Sequence, residues 1–142
     1  MESTSRTRWV ALGLLFLAAV LNYADRTAFS AVFPLLKKDL GMSDVELGAI
    51  GSLFLWSYGL MSPFAGMAGD RFSRSSLVTG SLLVWSLVTG ITGFVTSTHQ
   101  LFAARILLGL SEALYLPAAM ALIAGHFTST GRGRALAIHV MG

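Results

Sequence analysis

The chain contains no cysteine, and only 12% of its 142 residues are charged. The lack of cysteine excludes disulfides, thiolate metal ligands and thiol nucleophiles. Three histidines lie far apart in the sequence, and we expect no metal and no other cofactor. Soluble domains carry about 25% charged residues, and a soluble helical bundle needs polar stripes at helical spacing. Segments such as 77–95 have no such stripe, so we expect a membrane protein.

Long apolar runs fill almost all of the sequence. Four of them, at about 9–36, 45–68, 77–95 and 100–127, reach the roughly 20 residues that cross a hydrocarbon core of about 30 Å. From Arg134 the apolar pattern resumes and stops after about nine residues, too few to cross. We therefore predict an all-α membrane protein with four transmembrane helices and the start of a fifth, as the N-terminal portion of a longer chain.

Three local signals mark the ends of these helices. Pro34 lies late in the first span, where proline ends or kinks a helix. Ser43 and Glu46 have the spacing of a capping box at the start of the second span. Asp70 precedes the third span, and we expect it to cap that helix.

Basic residues are distributed unequally over the short loops. If all four segments cross, six arginines share one side of the membrane, namely Arg6, Arg8, Arg71, Arg74, Arg132 and Arg134. The opposite side has Lys37 and Lys38. The positive-inside rule then places the N-terminus in the cytoplasm. We expect a multi-pass protein of the plasma membrane, the inner membrane in a Gram-negative cell, with the lipid bilayer around it. The sequence has no basic patch with interleaved aromatics, so we expect no nucleic-acid partner.

The first span carries polar and charged residues at membrane depth. Asn22, Asp25 and Arg26 form one polar stripe, and Tyr23 borders it. Asp25 and Arg26 are adjacent and point about 100° apart, so they satisfy each other poorly. Because a charge at this depth costs about 3 kcal/mol or more, each is expected to face a partner, a cavity or a solute. An ion pair that only fixes the helix bundle is the alternative.

The fourth span places Arg105, Gly109 and Glu112 on one face at steps of four and three. Arg105 lies about 7 Å inside the outer edge at 1.5 Å per residue, a depth similar to that of Asp25. We therefore predict that Arg105 and Asp25 come within pairing distance in at least one conformation. Glu112 lies near the midplane, where a carboxylate without a cation can take up a proton. Gly109 leaves a gap that a solute, water or another helix can fill.

Three motifs in this order resemble signatures of the major facilitator superfamily. They are Asn22-Tyr23-Ala24-Asp25-Arg26, the loop Gly66 to Arg74 with Asp70-Arg71, and Arg105-x-x-x-Gly109-x-x-Glu112-Ala113-x-x-x-Pro117. The first and third resemble the anion:cation symporter branch, and the spinster-like lipid transporters are second. The loop departs from its signature at Ser73 and Ser75, usually a glycine and a basic residue.

The resemblance implies a fold and roles for these residues. Such proteins have about twelve helices in two six-helix bundles, which rock around a central site. Asp25 and Glu112 would be the protonatable pair that couples transport to protons. Arg26, with Tyr23 and Asn22, would bind the substrate carboxylate, and Arg105 would pair with an acid in one state. Gly66, Asp70, Arg71 and Arg74 would form a cytoplasmic gating motif, whereas spacing alone explains them as a tight turn with topology anchors.

We therefore expect a secondary active transporter and not an enzyme. The leading function is proton-coupled symport of a small organic anion, such as a sugar acid or carboxylate, by alternating access. The partners would be this anion, protons and the C-terminal helices of the same chain. The alternative is a spinster-like transporter or antiporter of lipids or lysolipids. An intramembrane enzyme would need a nucleophile with its base, or a metal, at one depth. A membrane anchor would have no use for four charges at depth.

Overall fold

The structure of the chain, a computed structural model, describes residues 5–127 and 129–141. These residues form six α-helices in the order α1 (Ser5–Ala31), α2 (Phe33–Asp39), α3 (Asp44–Arg71), α4 (Arg74–Thr92), α5 (Thr98–His126) and α6 (Ser129–Val140). The predicted all-α class is confirmed. The fifth span begins at Ser129, five residues before the predicted start at about residue 134.

Four helices within the described ranges are long and apolar enough to cross a membrane: α1, α3, α4 and α5. Large apolar side chains on these helices are exposed, among them Leu55, Trp56 and Leu83. Soluble proteins rarely leave so many exposed apolar side chains in contiguous patches. Surrounded by lipid, the same side chains lie in a favourable environment. The chain is part of a multi-pass membrane protein.

The predicted first span is two helices. α1 ends at Ala31, Val32 is the junction, and α2 starts at Phe33 with Pro34 in its first turn. A proline lacks the N–H of a helix interior, and its ring clashes with the carbonyl one turn back, so it is accommodated at a helix start. The prediction that Pro34 ends or kinks this span is confirmed.

The capping predictions have different outcomes. Ser43 and Glu46 form the predicted capping box, in which the Ser43 N–H donates to Glu46 Oε2 over 2.8 Å and the Glu46 N–H donates to Ser43 Oγ over 3.3 Å. Asp70 is not the cap of the next helix, because α3 continues through Arg71. Ser73 takes that position and accepts a hydrogen bond from the Ser76 N–H over 3.1 Å.

α5 lies at the centre of the fold and packs along both α3 and α4, while α1 and α6 pack against each other and against its C-terminal half. One apolar cluster joins α3, α4 and α5, with Phe54, Trp85 and Leu108 among its members. Arg105 and Glu112 lie on this central helix and are 5% and 3% exposed. The fold therefore buries two ionisable side chains, and their partners decide what the site can do.

Candidate functional site

An ion pair joins α1 to α5. Arg26 Nη2 lies 2.6 Å from Glu112 Oε2, and Arg26 Nε donates to the same oxygen over 3.0 Å. The Glu112 side chain is 2% exposed, whereas that of Arg26 is 37% exposed. Glu112 Oε1 is buried without a hydrogen-bond partner in the described structure, although the Asn22 side chain approaches Glu112. One carboxylate oxygen is therefore neutralised by Arg26, and the other is available.

Two aromatic rings of α3 hold the Arg26 guanidinium on its other side. Its Cζ lies 4.9 Å from the ring centre of Phe54 and 5.3 Å from that of Tyr58. A cation over an aromatic face at this distance is stabilised by about 0.5–2 kcal/mol. These two contacts add to the ion pair in positioning the guanidinium. Sequence reasoning missed both aromatics, which lie on one face of α3 at a spacing of four residues.

A cavity of about 490 Å³ opens beside this ion pair. It is lined by Ala19, Asn22, Tyr23, Arg26, Tyr58, Glu112, Tyr115, Leu116, Met120, His139, Val140 and Met141. The predicted substrate-binding residues Asn22, Tyr23 and Arg26 line this cavity together with Glu112, whereas Asp25, predicted to belong to the same polar stripe, lines other cavities. Tyr115 and His139 were not predicted. The Tyr115 hydroxyl donates to the Leu15 carbonyl over 2.9 Å, and His139 packs edge-on against the tyrosine ring.

A second cavity, of about 320 Å³, lies between α1, α2, α4 and α5 and is lined by both Asp25 and Arg105. The two form no salt bridge within residues 5–127 and 129–141. Arg105 Cζ instead lies 3.1 Å from the ring centre of Phe29, and Asp25 Oδ2 accepts from Trp85 Nε1 over 3.4 Å. Sharing a cavity agrees with the depth estimate. Their pairing stays a prediction for another conformation.

α5 and α3 are in close contact at Gly109. A Cβ atom there would overlap Ser57 Oγ and lie 2.6 Å from the Phe54 carbonyl oxygen. The sequence left open whether a solute, water or another helix fills the gap between Arg105 and Glu112. In the structure α3 fills it. Only glycine fits this contact, which brings Phe54 and Tyr58 up to Arg26.

The four predicted gating residues lie at helix ends beside the loop between α3 and α4 and are exposed: Gly66, Asp70 and Arg71 in the last turns of α3, and Arg74 at the start of α4. Arg74 Nη1 donates to the Ala121 carbonyl over 3.0 Å, near the C-terminal end of α5. A cation is favourable at a helix C-terminus, where carbonyl groups carry partial negative charge. Arg74 thus ties this loop to the central helix. A gating role for the four residues remains a prediction.

Comparisons with known proteins show what this chain is similar to. The sequence profile of the Major Facilitator Superfamily matches residues 15–142. A probable galactarate/D-glucarate transporter of Pseudomonas putida, GudP, is 36% identical over 140 residues, 94% of this chain and 31% of that protein. Human protein spinster homolog 1 is 36% identical over 121 residues, 84% of this chain and 23% of that protein. The chain thus spans about a third or less of the length of these relatives.

A solved structure has the same fold over nearly all of this chain. It is the crystal structure of a bacterial homologue of the human lysosomal transporter spinster, in an inward-facing and unoccupied conformation. The two agree with a TM-score of 0.89 at 29% identity, over 98% of this chain and 29% of the other. The arrangement of α1 to α6 is therefore that of the corresponding part of a known membrane transporter.

Proposed function

This chain belongs to the Major Facilitator Superfamily, and from this premise we propose that it forms the N-terminal portion of a proton-coupled symporter of small organic anions. The substrate class is a sugar acid or another carboxylate. The remaining helices of a twelve-helix, two-bundle transporter would complete the site from the opposite side. Relatives named as galactarate/D-glucarate transporters support this substrate class.

The ion pair between Arg26 and Glu112 is the observation that carries the proposal. Arg26 is part-exposed to a cavity of about 490 Å³, so a substrate carboxylate can reach the guanidinium from the cavity side. Tyr23 and Asn22 line the same cavity and offer a hydroxyl and an amide to the anion. Arg26 is the main substrate-binding residue in this proposal, and Tyr23 and Asn22 assist it.

Charge balance links the anion to the proton. When the substrate carboxylate takes Arg26, Glu112 loses its cation in a buried position. An ionised carboxylate without a partner is unfavourable there, so Glu112 binds a proton. Asp25 is the second protonatable group, with Arg105 as its partner in another conformation. Gly66, Asp70, Arg71 and Arg74 act as the cytoplasmic gate.

The proposal is tested with the full-length protein in proteoliposomes. We expect D-glucarate to accumulate inside when an inward proton gradient is imposed, and accumulation to stop when a protonophore collapses that gradient. The expectation follows because Glu112 takes up a proton when the anion binds to Arg26, so proton and anion enter together. An anion flux that is indifferent to the proton gradient would contradict proton coupling. The absence of any anion flux would contradict the substrate class.

A spinster-like transporter of lipids or lysolipids is the second candidate. The fold agreement with the spinster homologue and the apolar side chains at one end of the cavity, Leu116, Met120, Val140 and Met141, favour it. An acyl chain could lie along those four residues while its head group meets Arg26. Flux of a fluorescent lysophosphatidylcholine, measured in the same proteoliposomes, discriminates between the two candidates.

We propose a plasma-membrane location with the N-terminus in the cytoplasm, because basic residues concentrate on that side. Residues 1–142 contain no cysteine, so a cysteine introduced among them is unique in this part of the protein, and any cysteine elsewhere in the full-length protein is replaced first. In intact cells, a membrane-impermeant maleimide is expected to label Thr98→Cys and not Ser73→Cys. After permeabilisation both positions should react. Equal labelling of both positions in intact cells would contradict this topology.

A further inference from the structure

Two opposite charges, Asp25 and Arg105, line one cavity without pairing. Arg105 is buried, lies over the Phe29 ring, and leaves its Nε without a hydrogen-bond partner in the described part of the chain. Attraction between opposite charges in a medium of low dielectric is strong at short range. Asp25 and Arg105 therefore stay apart because each side chain contacts another residue. Phe29 holds Arg105, and Trp85 contacts Asp25.

Trp85 is placed to hold the carboxylate. It lies on α4, is 9% exposed, and packs with Phe54, Val88 and Leu108. This packing fixes the ring, and its Nε1–H points at Asp25 Oδ2 over 3.4 Å. A buried indole N–H usually finds a partner, since it is a donor only. The bond is long for an N–H···O contact, so it can be exchanged for a stronger partner.

Asp25 lies at the boundary between two spaces. One is the cavity that it shares with Arg105, and the other is a more open groove of about 550 Å³ lined by Leu21, Trp85 and Thr89. A change of side-chain conformation would move the carboxylate from one to the other. The charged groups of α5 that interact with Asp25 are Arg105 and Glu112, and Arg26 is the next residue along α1. On the α4 side, the groove has the Trp85 indole and the hydroxyls of Ser86 and Thr89.

We propose that Trp85 is a positioning residue, which holds the Asp25 carboxylate on the α4 side and away from Arg105 in the conformation described here. The inference rests on the proposed function, in which Asp25 takes part in proton coupling. Release of this hydrogen bond frees Asp25 to pair with Arg105. Trp85 then sets which of the two arrangements is populated, while the anion itself binds at Arg26.

Tryptophan fluorescence of the full-length protein tests the contact without any transport. The wild-type spectrum minus that of Trp85→Phe isolates the emission of Trp85. We expect Asp25→Asn to change this component, because the charged acceptor is lost, and Glu112→Gln to leave it unchanged. An unchanged component in Asp25→Asn would overturn the proposal. If Trp85→Phe does not fold, the total tryptophan emission of each variant is compared with that of the wild type. A change in Asp25→Asn without a change in Glu112→Gln then supports the contact, and no change in Asp25→Asn overturns it.

Transport separates a positioning role from packing. Trp85→Phe keeps most of the apolar ring and removes the donor, so accumulation of D-glucarate should fall about tenfold, as expected for a hydrogen bond to a charged group. Exchange of D-glucarate should stay within about twofold, because Arg26 is untouched. Trp85→His, which retains an N–H, should restore part of the accumulation, and Trp56→Phe, at an exposed position of α3, should have no effect.

Equal loss of accumulation and exchange in Trp85→Phe would mean a structural role only and would overturn the proposal. Failure of Trp85→His to restore any accumulation would do the same. A wild-type protein that transports no anion would refute the proposed function instead. In that case the fluorescence comparison still decides whether Trp85 holds Asp25.

Discussion

Glu112→Gln is expected to abolish proton-driven accumulation of D-glucarate while leaving exchange of the anion nearly intact. Glutamine has the shape of glutamate and cannot carry the coupled proton. It also leaves Arg26 without its carboxylate partner, 2.6 Å away in the wild type, so the anion meets no competitor for the guanidinium. The measurement compares uptake against a gradient with one-for-one exchange in proteoliposomes of the full-length protein.

Glu46→Gln is the matched control, because Glu46 serves in the capping box of α3 and glutamine fulfils the same role there. Arg26→Ala should differ from both variants. It should weaken anion binding by about a hundredfold, since breaking a buried ion pair costs about 3 kcal/mol at the low end. Should Glu112→Gln still accumulate the anion and respond to a protonophore, Glu112 is not the coupling residue and Asp25 becomes the candidate.

Gly109→Ala is expected to destabilise the protein by roughly 1–3 kcal/mol, the usual cost of inserting atoms into a packed interior. The added methyl group would overlap Ser57 Oγ and press on the Phe54 carbonyl. α3 would have to move away from α5, and Phe54 and Tyr58 would leave Arg26. We therefore expect a lower thermal unfolding midpoint in detergent together with weaker anion binding.

Gly51→Ala is the control for this variant, because a Cβ at Gly51 meets no atom within 4 Å. Ser57→Ala in the Gly109→Ala background removes the overlap with Oγ and leaves that with the Phe54 carbonyl. It should recover only part of the lost stability. An unfolding midpoint for Gly109→Ala equal to that of Gly51→Ala would show that α3 and α5 are not closely packed at this position.

Local features of the fold were predictable from the sequence. The length of the apolar runs determines four helices, since each must satisfy its backbone within the bilayer. The capping box of Ser43 and Glu46 depends on residues three apart, and it forms as predicted. The error at Asp70 has a local cause as well. α3 extends to Arg71, and Ser73 is better placed to accept from the first turn of α4.

The partners of the charged residues were less predictable. Depth along a helix follows from the rise per residue. It predicted that Asp25 and Arg105 can pair, and in the structure the two line one cavity without pairing. Depth does not determine the rotation of one helix relative to another. The sequence therefore left open whether Arg26 or Arg105 would approach Glu112. It contained no sign that α3 would fill the gap at Gly109, because that contact depends on three-dimensional packing.

The distance of Arg26 from Glu112 along the chain has a consequence for biosynthesis. The two residues are 86 positions apart, so a ribosome that adds about 5–20 residues per second makes Glu112 roughly 4–17 s after Arg26. Throughout that interval the first helix has a cation at membrane depth and no carboxylate from α5 to neutralise it. Water, lipid head groups or the insertion machinery must therefore stabilise the Arg26 cation until α5 packs beside α1.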